Sequence, residues 1–237
     1  MKEIEFIGKC ALVKVGKKKI LTFGDLHFGY EEVLALSGVF VSMGIFEDTI
    51  AHLDLVFEKI GKVDEIVVLG DIKHDFGSIL HQEWENVLKF FDYLKDKCKK
   101  IIVIKGNHDK LIEPIVRKKD VVLRDYYIKG KYCFLHGDRY LKEIYGKEIK
   151  CWIMGHGHPA IKLSNGVKVE KYKCFLDGNY KGKRVIIMPS FAMFSEGSDP
   201  RENEVITAWD FNWKKFKAYV IEEDLNVLNF GELGKIR

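Results

Sequence analysis

Apolar residues along this chain fall into short, continuous, β-prone runs, and each run stops at a polar loop. Residues 19–23 lead into Gly24-Asp25-Leu26-His27, and residues 65–69 lead into Gly70-Asp71-Ile72-Lys73-His74-Asp75. Residues 101–104 pass through Lys105 into Gly106-Asn107-His108-Asp109. Residues 132–135 end at His136-Gly137-Asp138, and residues 151–154 at Gly155-His156-Gly157-His158. Unbroken apolar runs of this length suit strands buried on both faces.

The segments between the early runs have helical periodicity. Phe46, Ile50, Leu53, Phe57 and Ile60 share one face, with Glu47 and Asp48 in the first turn. Between residues 80 and 100, Trp84, Val87, Leu88, Phe91, Leu94 and Cys98 form a second apolar stripe that reads as core packing. A weaker helix is expected over 111–118. Beyond His158 the pattern changes to strands at 160–163, 168–171, 174–176, 184–188, 204–211 and 216–222. Asn165-Gly166 and Asp177-Gly178 are the turn signals among them. Alternating strands and helices followed by a β-rich half predict a layered α/β or αββα sandwich with its site at one edge.

Composition narrows the class. The chain has 237 residues, 47% hydrophobic and 31% charged, with 4 prolines, which excludes a disordered or low-complexity polymer. No apolar run approaches a membrane span, and the first residues carry acid and no secretory h-region, so a cytoplasmic protein is expected. The net charge of +4 is mild. Lysine clusters at 17–19, 99–100, 117–119 and 214–215 read first as solvated loops and helix ends, and second as a phosphate-attracting face. The 5 cysteines show no CxxC spacing and read as small core hydrophobes.

The loops carry the chemistry. They offer Asp25, His27, Asp71, His74, Asp75, Asn107, His108, Asp109, His136, Asp138, His156 and His158, and only His52 and His81 of the 8 histidines lie elsewhere. Oxygen and imidazole donors without thiolate suit Mn²⁺, Fe²⁺ or Zn²⁺. The donors are too many for one tetrahedral ion. Two ions ~3.5–4 Å apart activate water and clamp a phosphate.

These elements, in order, resemble the signature of the calcineurin-like metallophosphoesterases: Asp25-x-His27, Gly70-Asp71, Gly106-Asn107-His108-Asp109, His136 and Gly155-His156-x-His158. The resemblance implies a four-layer αββα sandwich of two mixed sheets flanked by helices, with residues 1–237 forming a single catalytic domain. By the same resemblance Asp25, His27, Asp71 and His158 hold one divalent ion. Asp71, Asn107, His136 and His156 hold the other, and Asp71 bridges. Mn²⁺ is the first expectation, with Fe²⁺, Ni²⁺ or Zn²⁺ as alternatives. His108 becomes the general acid or phosphate-contacting residue, positioned by Asp109, and a hydroxide bridging the metals becomes the nucleophile.

Departures from the family narrow the branch. Lys73-His74-Asp75-Phe76 replaces the Asp-Arg of the Ser/Thr phosphatases, and His108 stands where the lipid-A pyrophosphohydrolases usually have Arg. The Gly70–His74 stretch is most similar to the SbcD/Mre11-related branch, particularly small archaeal members and phosphoesterases of DNA-ligase operons. Most of the chain after His158 reads as sandwich strands, so a minimal domain without a DNA-binding cap is expected. The leading expectation is a phosphodiesterase for nucleotide-like diesters or nucleic-acid ends. The alternative is a metal-binding interaction module of a DNA-repair assembly, with a repair protein as partner. His74 and Asp75 are expected either to touch a metal or the substrate or to brace Asp71 and its loop, and Phe28, Tyr30 and Arg139 are expected as base or phosphate contacts. The loop 189–204 reads either as a substrate lid or as an ordinary surface connection.

Overall fold

The computed structural model describes residues 3–39, 44–74, 81–164, 166–202, 205–222 and 224–236. Two mixed sheets face each other. The first has the order β1 (Ile4–Ile7), β2 (Cys10–Val15), β3 (Lys18–Phe23), β4 (Val63–Val68), β5 (Cys98–Ile104) and β6 (Val122–Arg124). From β3 to β6 its strands are parallel, whereas β1 and β2 join as antiparallel neighbours.

The second sheet runs β14 (Val227–Glu232), β13 (Lys217–Ile221), β11 (Val169–Tyr180), β12 (Lys183–Ile187), β9 (Cys151–Met154), β8 (Tyr132–Leu135) and β7 (Tyr126–Lys129), with β10 (Ala160–Ser164) paired to β11. Within it β12, β9 and β8 are parallel. Helices α1 (Tyr30–Leu36), α2 (Ile45–Ile60), α3 (His81–Lys95) and α4 (Glu113–Lys118) lie between strands of the first sheet. No described helix is long and apolar enough to cross a membrane.

The apolar runs are continuous because each strand serves two cores with period two. Leu21, Phe23, Ile66, Val68, Ile101 and Val103 pack with Leu53, Phe57, Phe90 and Phe91 of the helices. Their alternates Ile20, Val67, Ile102 and Ile104 meet Phe134, Ile153, Phe175 and Ile186 between the sheets. Cys133, Trp152, Leu176 and Val185 face the outer side of the second sheet. The fourth layer there is built from the 3₁₀ turns Glu143–Tyr145, Trp213–Lys215 and Leu233–Lys235 together with buried Trp209 and Phe211.

Several sequence expectations change in detail. The stretches expected at 168–171 and 174–176 merge, from Val169 on, into the single long strand β11, and Asp177-Gly178 continues it. Gly178 is there for space: a Cβ would sit 2.5 Å from the Phe216 ring. The chain reverses instead at Lys181-Gly182, both at positive φ. The strand expected over 204–211 is absent among the described residues; Trp209 and Phe211 are buried by capping the second sheet, not by pairing. The expected helix over 80–100 ends at Lys95, and residues 98–100 already belong to β5. Sequence reasoning missed strands β1, β2, β6, β7 and β14 and helix α1, although Cys10-Ala11-Leu12-Val13 of β2 is itself a continuous apolar run.

The lysine clusters are dispersed on the surface: Lys18 pairs with Glu65, Lys99 with Asp64, and Lys119 with Asp92. Glu65 is buried, so the Lys18–Glu65 pair is only half open to solvent, whereas a surface pair such as Lys99–Asp64 adds about 0–1 kcal/mol. All 5 cysteines are free thiols.

One half-buried histidine makes folding acid-sensitive. His52 Nε2 accepts the Lys9 main-chain N–H at 3.2 Å, so the ring is neutral in the fold. Burial, and then the charges of Lys9 and Lys173, push its pKa from 6.5 down to about 3. The unfolded chain therefore takes up a proton between those values that the folded ring refuses. Its contribution is complete above 6.5 and declines as the pH falls through that window. The urea midpoint of wild type is expected to fall more steeply than that of His52→Gln between about pH 7 and about pH 4.5; parallel slopes would show that His52 is not responsible.

Candidate metal centre

Parallel pairing decides where the loops meet. In the first sheet β3, β4 and β5 are parallel neighbours, so the loops at 24–27, 70–74 and 106–109 leave from one edge. In the second, parallel β8 and β9 send out His136 and the 155–158 loop. The two sets face one another across the seam between the sheets. Asp25 N donates to Gly70 O at 2.9 Å, and the amides of Leu26 and His27 donate to Asp71 O at 2.9 Å. Phe28 N continues this lacing between the two loops of the first sheet to Ile72 O at 2.8 Å.

This backbone lacing holds unusual conformations. Eight described non-glycine residues have positive φ, and five of them are Asp25 (57°), His27 (51°), Asp71 (49°), His156 (64°) and His158 (42°). Left-handed backbone at such residues costs on the order of 1–3 kcal/mol each and persists only where the surroundings enforce it. Gly106 is the close-approach point: a Cβ there would lie 2.2 Å from Asp71 Oδ1.

Three groups of ligand atoms converge, each group within 4.8 Å: Asp25, His27 and His158; Asp71, His136 and His156; and His27, His74 and His108. Asp71 Oδ2 stands 3.4 Å from His136 Nε2 and 3.9 Å from both His27 Nε2 and His108 Nε2. His158 Nε2 is 3.3 Å from Asp25 Oδ1, and Asn107 Oδ1 is 3.0 Å from His136 Nε2. Asp25, His27, Asp71 and His136 are buried; Asn107, His108, His156 and His158 are partly open.

Second contacts aim the rings. His136 Nδ1 is 2.6 Å from Leu69 O, which turns Nε2 to the centre. His158 Nδ1 meets Ser195 Oγ at 3.1 Å, and His108 Nδ1 meets the main-chain carbonyl of His74. Fixing one ring nitrogen in this way is how metal-binding imidazoles are held in a chosen tautomer.

The electrostatics are those of a site built for positive charge. Burial raises the pKa of the Asp71 carboxyl, but His136, by hydrogen bond and by charge, outweighs it and holds the group below the ordinary range. For Asp25, burial is likewise outweighed by His158 and His136. His136 is disfavoured as a cation by burial, yet Asp71 lifts it to about 10. Burial pushes His27 down to about 3, and His27 Nδ1 is a buried atom without a hydrogen-bond partner among the described residues. Buried carboxylates beside the neutral His27 imidazole and its orphaned ring nitrogen fit a divalent ion, which would also take the place of the proton that Asp71 holds on His136.

The structure corrects three expectations. Asp109 is fully buried, but its carboxylate accepts the amides of Asp71 (2.7 Å), Ile72 (3.0 Å) and Gly106 (3.0 Å), while the His108 ring is oriented by His74 O. Arg139 is exposed and paired with Asp125, not turned to the cluster. Phe28 is wholly buried in the helix-side core and offers no base contact. His74 does join the cluster, its amide donating to Glu83 Oε1 at 2.8 Å; Asp75 lies outside the described residues.

Residues 190–195 form a wall of the site. Ser190 Oγ donates to Asp25 O at 3.1 Å, Ala192 N donates to the same oxygen at 3.1 Å, and Phe191 N donates to Gly24 O at 3.1 Å. Phe194 stacks on Tyr30 with ring centres 3.8 Å apart, and both rings flank His74. Sequence reasoning left this segment open between a substrate lid and a surface connection and did not find these roles, because they arise only from contacts across the fold. Residues 203–204, the end of the loop expected at 189–204, lie outside the described residues.

An α/β sandwich with clustered carboxylates and imidazoles at one edge is the architecture of a metal-dependent phosphoesterase. The chain belongs to the calcineurin-like phosphoesterase family, which it matches over residues 18–221. Among solved structures it is similar to the nuclease MPE of Pseudomonas putida, at 19% identity over 96% of this chain and 100% of that one, with a TM-score of 0.63. It also resembles a single mutant of Vps29 from Entamoeba histolytica (14% identity, 90% and 99% covered, TM-score 0.41). A protein of unknown function from Aquifex aeolicus aligns at 21% identity over 62% of this chain and 81% of that one, with a TM-score of 0.38. No curated protein matches the chain.

Proposed function

We propose that the chain is a dinuclear metal-dependent phosphodiesterase acting on nucleotide-like diesters or nucleic-acid ends, in the SbcD/Mre11-related part of its family. The supporting observation is the position of Asp71: one carboxylate oxygen faces His27 on one side and His136 on the other. In this reading Asp25, His27, Asp71 and His158 form one ligand set, and Asp71, Asn107, His136 and His156 the other. Mn²⁺ suits these hard and borderline donors. Bound divalent ions supply an activated water and offset the phosphate charge.

The chain's own residues do the rest. His108 is partly open and presents Nε2 to the centre, because its Nδ1 is engaged by His74 O. From there an imidazolium can deliver the Nε2 proton to the departing alkoxide. The His108 main-chain N–H is held by Asp71 Oδ1 at 3.0 Å, so the acid is tied to the carboxylate shared by the two ligand sets. Phe194 and Tyr30 close one flank. The nuclease activity named for the Pseudomonas relative agrees with a diester substrate.

The test is a panel of phosphomonoesters, linear and cyclic diesters, single-stranded DNA and RNA, run with Mn²⁺, Ni²⁺ and Zn²⁺ alongside elemental analysis. Diesters are expected to be hydrolysed, fastest with Mn²⁺, and His108→Ala is expected to lower that rate about 10²–10⁴-fold. Hydrolysis of monoesters alone, or none by metal-loaded protein with His108→Ala unchanged, overturns the reading. The second of these results would favour an interaction module.

A further inference from the structure

Two lysines with no role in the reaction described above converge on the 190–193 segment. Lys9 lies in the turn between β1 and β2 of the first sheet, and Lys173 on β11 of the second. Lys9 Nζ donates to Phe191 O at 3.0 Å, lies 3.0 Å from Met193 Sδ, and sits over the Phe191 ring. Lys173 Nζ donates to Ser190 O at 2.8 Å and also to Ala192 O. Three consecutive carbonyls thus receive two ammonium groups, one from each sheet. The opposite side of the same segment carries the Ser190 hydroxyl and the Phe191 and Ala192 amides, which grip Gly24 O and Asp25 O.

The arrangement is costly. Neither ammonium has a carboxylate partner among the described residues, and Lys9 is 8% exposed. Burial pushes Lys9 down to about 8 and Lys173 well below its ordinary range. An apolar side chain would avoid that penalty but leave the segment's buried carbonyls without donors. What the lysines achieve is a stitch across the seam. Asp25 comes from the first sheet and its partners His136 and His158 from the second, and Asp25 itself has a left-handed backbone that needs external support.

We infer that Lys9 and Lys173 are positioning residues for the metal centre, fixing Asp25 against the second sheet through the 190–193 segment. The inference rests on the metal-centre reading above. Loss of an outer support of this kind typically weakens metal affinity by about 10–100-fold. Because Asp25 remains present, saturating metal should restore most of the turnover rate.

The test uses the full chain with Lys9→Met, Lys173→Met and the double substitution. Mn²⁺ dissociation constants are measured by calorimetry, together with unfolding midpoints and the His158 imidazole resonances of metal-free protein. The expected result is an Mn²⁺ affinity about tenfold weaker, diesterase activity recovered at high Mn²⁺, and displaced His158 signals. Ser190→Ala, which removes one contact to Asp25 while keeping both lysines, is expected to shift the affinity in the same direction by less. An unchanged Mn²⁺ affinity in the folded double variant overturns the inference, even if its unfolding midpoint falls. If the double variant does not fold, an unchanged affinity in Ser190→Ala overturns it. Wild-type protein that binds no Mn²⁺ overturns the metal-centre reading itself and this inference with it.

Discussion

Asp71→Asn is expected to strip the protein of bound divalent metal and to lower diester hydrolysis about 10³-fold. The substitution is nearly isosteric, so the effect isolates charge. Asp71 Oδ1 accepts the His108 amide at 3.0 Å, while Oδ2 faces His136, His27 and His108. If the new amide keeps its oxygen toward the His108 N–H, its NH₂ points at imidazole nitrogens where an anion stood. If it turns the other way, the NH₂ meets that N–H. Neither orientation offers a negative oxygen to both ligand sets, so both are expected to fail together.

A control independent of metal is available in His136. Asp71 is the first of the groups that lift its pKa to about 10 against the pull of burial. In metal-free Asp71→Asn the ring should become neutral at a markedly lower pH, which imidazole NMR reads directly. A variant that keeps its metal content and its rate would remove Asp71 from the centre.

The loops at 24–27, 70–74, 106–109, 136–138 and 155–158 were legible because a doubly buried strand needs an unbroken apolar run, and a run followed by polar ligand types marks its end. The strand order behind their convergence is not written locally. It follows from pairing β3, β4 and β5 in one sheet and β8 and β9 in the other. Gly178 misled as a turn signal because a glycine required by a neighbouring ring, here Phe216, looks the same in sequence as one required by φ. Trp209 and Phe211 misled as a strand because apolar residues that cap a sheet share the composition of residues that extend it. Lys9, Ser190 and Ser195 carried no signal, since their partners lie far away along the chain.

Asp109 is the sharpest case, and it yields the second large effect. Its sequence neighbour His108 suggested an acid oriented by an adjacent carboxylate, but the fully buried carboxylate spans the β4 and β5 loops. Oδ2 accepts from Asp71 at 2.7 Å and Gly106 at 3.0 Å, and Oδ1 from Ile72 at 3.0 Å. Burial, then the Asp71 charge, push its pKa up to about 6, and the amide donors act against that shift.

Asp109→Ala leaves these buried N–H groups without an acceptor at about 1–3 kcal/mol each, so a loss of roughly 3–5 kcal/mol is expected after relaxation. Asp109→Asn should rescue little, because its NH₂ must face at least one of the three amides whichever way the group is set. Both variants are expected to lower the urea midpoint and the Mn²⁺ affinity together, since the loop they loosen carries Asp71. If instead the midpoint and affinity hold while only the His108-dependent step slows, Asp109 serves the acid after all. The lacing of Leu26 and His27 to Asp71 O would then be sufficient to hold the loops by itself.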